Sequence, residues 1–88
     1  MKAEDIQLGK IYFGSVARSD RPAKVLLKPV AEADPRMVTD HFVCDLVWYS
    51  GAGSVTGRFD DAMLWAINGF IRLATEEECK YFALAQIK

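Results

Sequence analysis

His41 and Cys44, three residues apart, are the pair most able to do chemistry in this chain. His41 is the only histidine and Cys44 is one of two cysteines, the other being Cys79. A thiol with an imidazole in reach would make a nucleophile or half of a metal site. On a helix that spacing would bring both to one face. On a strand it sends them to opposite faces, because side chains alternate. The surrounding stretch, Thr39 to Tyr49, alternates as a strand does. Phe42, Cys44, Leu46 and Trp48 form an apolar set, and His41, Val43, Asp45, Val47 and Tyr49 form the other. His41 and Asp45 do share a face, but four strand residues separate them by about 13 Å. Cys79 has no partner at metal-motif spacing. No catalytic residue, no metal site and no cofactor is therefore expected.

Other constellations have structural explanations. Asp60-Asp61 and Glu76-Glu77-Glu78 stand where helices are expected to begin, and negative charge is favoured there by the helix dipole. The glycines of "SGAGSVTG", Ser50 to Gly57, have no Lys-Ser/Thr after them and no strand–loop–helix order, so they read as a turn rather than a phosphate cradle.

The elements that position these residues follow from the local pattern. Leu8, Ile11, Tyr12, Phe13 and Val16 read as a first strand, with Gly9 at its start and Gly14 at a bulge or close contact. Arg18 to Pro22 reads as a turn. Ala23 to Ala31 reads as a second strand, with Val25 and Leu27 on one face and Lys24, Leu26 and Lys28 on the other. Pro29 places it at an edge or a bulge. After the strand 39–49 and its turn, "VTGRF" is expected to return as a short strand. "DDAMLWAING" then reads as a short helix over about 60–68, with Asp60 as N-cap and Gly69 as terminator. "FIRLA" is short and extended. Thr75 followed by Glu78 makes the capping-box pattern for a C-terminal helix over about 75–87, whose apolar face is expected to be Cys79, Phe82, Ala83 and Ile87. Glu76 and Lys80 are spaced for an i,i+4 pair.

Strands first and helices after, joined by short connections, predict an α+β fold over residues 1–88 as one domain. The sheet is expected to be small, antiparallel and strongly bent, or an SH3-like barrel. Of the 88 residues, 51% are hydrophobic, and the formal net charge is −1, so disorder and generic nucleic-acid binding are both disfavoured. Charge is uneven: residues 1–31 carry six basic and three acidic groups, and residues 32–88 carry five and nine. The N-terminus has no apolar signal region, and the longest apolar run, Ala62 to Ile67, is too short for a membrane span, so a cytoplasmic location with free thiols is expected.

Two functional readings follow. The first is a small non-enzymatic binding module, of the kind a phage or prokaryote uses as an accessory protein to bind and inhibit a larger host protein or complex. Its partner is a protein, or a second copy of the chain. Its basis is the apolar surplus on the outer sheet face, which a helix or a partner must cover. Tyr12, Val43, Val47 and Tyr49 are the expected apolar anchors, with Arg18, Arg21 and Lys24 as a charged rim. The alternative is an SH3-like nucleic-acid-binding domain that uses that basic turn and strand with Tyr12 and Phe13 beside them.

Overall fold

The computed structural model describes residues 1–18, 21–49 and 59–86. Five antiparallel strands run β1 Tyr12–Arg18, β2 Arg21–Glu32, β3 His41–Tyr49, β4 Phe59–Ala66 and β5 Phe70–Leu73, followed by one helix, α1 Glu76–Gln86. Single 3-10 turns lie at Ala3–Asp5 and Ile67–Gly69. The sheet order is β4-β3-β2-β1-β5. The class is α+β, as the sequence predicts.

Consecutive strands β4 and β5 occupy opposite edges, yet only the three residues Ile67–Gly69 join them. The sheet must curl to bring its edges that close. Three register shifts assist: Val30 is the extra residue in β2, the Asp61-Ala62 pair bulges β4, and Ile71 bulges β5. Ala62 takes φ 53° at its bulge, and the Asp45 carboxylate accepts its N–H at 3.3 Å. Gly14 sits where the curled sheet brings the Gly69 turn against β1, since a Cβ there would strike the Gly69 carbonyl and Leu27 Cδ1. The curl does not become a closed barrel. No ladder joins β4 to β5 among the described residues, which corrects the barrel alternative.

The helix expected over about 60–68 is also corrected. That segment is edge strand β4 followed by the 3-10 turn. Asp60 is no N-cap; it accepts the Trp48 indole N–H at 2.7 Å. Gly69 ends no α-helix, only the 3-10 turn, and its carbonyl accepts the Trp65 indole N–H at 3.2 Å. Ala, Met and Leu are good helix formers, but Trp65 is worth more buried in the sheet's concave face than on an isolated two-turn helix.

Strand alternation sorts the apolar residues onto two faces. The concave face holds Tyr12, Val25, Leu27, Phe42, Cys44, Leu46, Trp65 and Phe70, closed below by Ile6 of the N-terminal lead. The outer face holds Leu26 and Val47, on which Phe82 of α1 rests. Helix α1 starts with the expected capping box: the Glu78 carboxylate accepts the Thr75 N–H at 2.8 Å, and the Thr75 hydroxyl accepts the Glu78 N–H at 3.2 Å. Arg72 of β5 clamps the same carboxylate with two donors at 2.7 and 3.1 Å and lies 4.5 Å above the Phe13 ring. That clamp sets where the helix leaves the sheet. The packed face is Glu78, Tyr81, Phe82 and Ala85, offset by one residue, about 100° of rotation, from the face expected; Ala83 is exposed, and Ile87 lies outside the described residues.

Candidate protein-binding face

The outer face of β3 presents His41, Val43, Asp45 and Val47 in sequence, and the ladder extends each across the sheet. Val47 stands between Leu26 and Phe59; Val43 stands between Ala31 and Leu64; His41 stands beside Ala66. Helix α1 divides this face. At the Val47 end, Phe82 packs on Leu26 and Val47 and meets the Phe59 ring edge-on at 6.2 Å, so Val47 is fully buried. At the Val43 end no described helix lies over the sheet. Leu64 is 53% exposed, Val43 is half-buried, and Ala31 is exposed. Lys28 and Asp45, directly opposite one another, mark the boundary between the covered and open halves.

The predicted anchors are thus separated. Tyr12 is a correction: it is 1% exposed and belongs to the concave core. Its hydroxyl accepts the Gln7 N–H at 2.8 Å and donates to the Asp5 carbonyl at 3.3 Å, holding the N-terminal lead in place. Val47 is a second correction, since Phe82 covers it. Val43 remains at the surface. Tyr49 pairs with Lys24 in the ladder, and Arg18 faces Arg21 across the β1–β2 hairpin. Lys24 is exposed; the side chains of Arg18, Arg21 and Tyr49 lie outside the described part.

Sequence reasoning missed Leu64, together with Met63 and Ala66. In "MLWA" the alternation of Trp65 inward and Leu64 outward was available, but four residues of period two do not outweigh helix-forming composition.

At the open end, His41 adjoins two shallow clefts of about 310 and 440 Å³ between the β2–β3 loop, the N-terminal lead and the 3-10 turn after β4. His41 Nδ1 lies 2.7 Å from the Thr39 carbonyl oxygen. A carbonyl only accepts, so Nδ1 carries the proton and Nε2 is the acceptor of the neutral ring. Cys44 sits on the opposite face of β3, its thiol directed at the Phe42 carbonyl at 3.8 Å. Burial, and secondarily the Asp45 charge, pushes that thiol up to about 12. It is a packed thiol, not a nucleophile poised near neutral pH. Helix α1 is too short to cross a membrane, and no described helix is long and apolar enough to do so.

No protein-family profile, curated protein or solved structure matches the chain. The open half-face therefore has to be interpreted on its own chemistry.

Proposed function

We propose that this protein is a non-enzymatic binding module, and that a partner protein docks on the open half of the outer sheet face against Val43 and Leu64. One observation carries the reading. The same strand face that α1 seals at Val47 is left uncovered four residues away, with a leucine 53% exposed beside a half-buried valine. An apolar strip on a rigid sheet, with charged residues at its border, has the anatomy of a protein contact. In its narrower form the reading has a phage or prokaryotic accessory protein inhibiting a larger host protein in the cytoplasm.

The experiment places a photo-cross-linking side chain at position 64 and, as control, at position 84, where Leu84 is 66% exposed on the far side of the molecule's contact with the sheet. The partner joined through position 64 is identified and its binding to the purified protein is measured. Saturable binding of that partner, weakened at least about tenfold by Val43→Lys, supports the reading. Equal cross-linking from both positions, or binding indifferent to Val43→Lys, refutes it. Identity of the partner decides the narrower form.

A second reading has one observation in its favour. Arg18 and Arg21 stand in direct register on the β1–β2 hairpin, with exposed Lys24 three residues further along β2 at the opposite parity. Like charges directly opposite repel, and a phosphate between them would offset that repulsion. Nucleic-acid binding of this kind weakens steeply with salt and is lost on reversing Arg21 and Lys24. Binding unchanged by that reversal removes it.

A further inference from the structure

We infer that β4 pairs, edge to edge, with β4 of a second copy of this chain. The inference does not rest on a foreign partner docking at Val43.

The ladder geometry identifies which backbone groups are free. Ile67 donates its N–H to the Asp40 carbonyl at 2.9 Å, continuing the β3–β4 pairing by one residue. In an antiparallel ladder, bonded and non-bonded pairs alternate. Trp65 and Met63 therefore bond to β3, while the N–H and C=O of Leu64 and Ala66 point off the sheet's edge. Among the described residues no backbone partner meets them. Edge strands are normally guarded by charge, by proline, by a bulge or by extreme shortness, and β4 carries such guards, Asp60, Asp61 and the bulge at Ala62, only in its first half. The other edge, β5, has four residues with Arg72 among them. The stretch from Ala62 to Ile71 contains no charged residue and no proline, and its Met63 and Leu64 are exposed.

A second copy fits this edge in a register that the free groups dictate. With Trp65 opposite Trp65 of the other copy, Leu64 of each chain meets Ala66 of the other. Each such pair exchanges two hydrogen bonds, so all the free groups at these positions are satisfied on both sides by one twofold operation. The neutral segment puts no like charges opposite one another. Leu64 and Ala66 carry their side chains on the outer face, so the two apolar strips join across the axis into one. Asp60 and Asp61 precede the bulge at Ala62 and stay outside the paired segment.

Ala66 supplies a clean test. Its φ of −71° and ψ of 147° suit proline, and its N–H takes no part in the β3 ladder. Ala66→Pro should leave the fold and its thermal midpoint intact while removing the outward donor. Sedimentation velocity over a wide concentration range is expected to show the parent moving from the 9.8 kDa monomer to twice that mass. Ala66→Pro should raise the dimer dissociation constant at least about tenfold. Leu64→Lys, a surface change that cannot disturb the core, should do the same. Amide hydrogen exchange gives an independent readout. The Leu64 and Ala66 amides should gain protection as concentration rises, whereas the Trp65 amide is protected throughout. A parent that stays monomeric at every concentration overturns the inference. So does a dimer unaffected by both substitutions, or one in which the Leu64 and Ala66 amides exchange as open groups. Cross-linking to a foreign protein through position 64 in the Ala66→Pro background separates this outcome from that of the docking proposal.

Discussion

Phe82→Ala perturbs the most deeply buried side chain of α1 on the sheet. Phe82 is 1% exposed, rests on Leu26 and Val47, and contacts the Phe59 ring. Truncating a phenylalanine buried to this degree costs about 3–5 kcal/mol. An 88-residue domain has roughly 4–13 kcal/mol of stability in all, so the variant loses a large share of it. The concave core, with nine buried residues, does not touch Phe82 and keeps its own packing. The expected result is a destabilised protein whose urea midpoint falls by about 2–5 M, taking a urea slope near 1–1.5 kcal/mol/M for a chain this small. Leu84→Ala, on the exposed side of the same helix, should change stability by no more than about 0.5 kcal/mol. If Phe82→Ala costs less than about 1 kcal/mol, α1 is not held to the sheet by that contact, and the division of the outer face into sealed and open halves fails.

Three further outcomes are expected. The Arg72 clamp, helped by the Thr75 N–H, holds the Glu78 carboxyl below its ordinary value of 4.5; a carboxyl depressed by folding stabilises above its unfolded pKa, and that contribution is lost as pH falls from about 4.5 through the folded value. Glu78→Gln should therefore be less stable than the parent at pH 7, and the gap should shrink at pH 3; a gap of constant size in urea titrations would show that the clamp does not contribute. Cys79 should react with a thiol reagent in the native protein while Cys44, buried and pushed up to about 12, reacts only on unfolding; two fast thiols would place Cys44 at the surface. Gly14→Ala should destabilise by about 1–3 kcal/mol or more, because its Cβ meets the Gly69 carbonyl and Leu27; a neutral substitution, measured by thermal unfolding, would mean the curl is looser than described.

Much of the fold was legible where one local rule faced no competitor. The alternation of Phe42, Cys44, Leu46 and Trp48 against Val43 and Val47 located β3 and both of its faces. Thr75 and Glu78 marked the helix start through a bond pattern that needs no tertiary partner. Pro29 signalled an edge or a bulge, and a register shift follows it in β2, an inner strand. Where tertiary contacts decide, the sequence misled. Ala62 to Ala66 has helical composition, but Asp45 holds a bulge there and Trp65 packs among concave-face residues. Losing that strand hid Leu64, and with it most of the open half-face. Tyr12 reads as an exposed aromatic because nothing local reveals that its hydroxyl will be bonded by residues five and seven positions earlier.

The division of the β3 outer face is tested most directly by methyl-resolved NMR with a soluble paramagnetic agent. Val43 and Val47 share a strand, a parity and a residue type, so they differ only in what covers them. The Val43 and Leu64 methyls should relax strongly, while those of Val47 and Leu26 stay protected beneath Phe82. Equal relaxation of Val43 and Val47 would contradict the account.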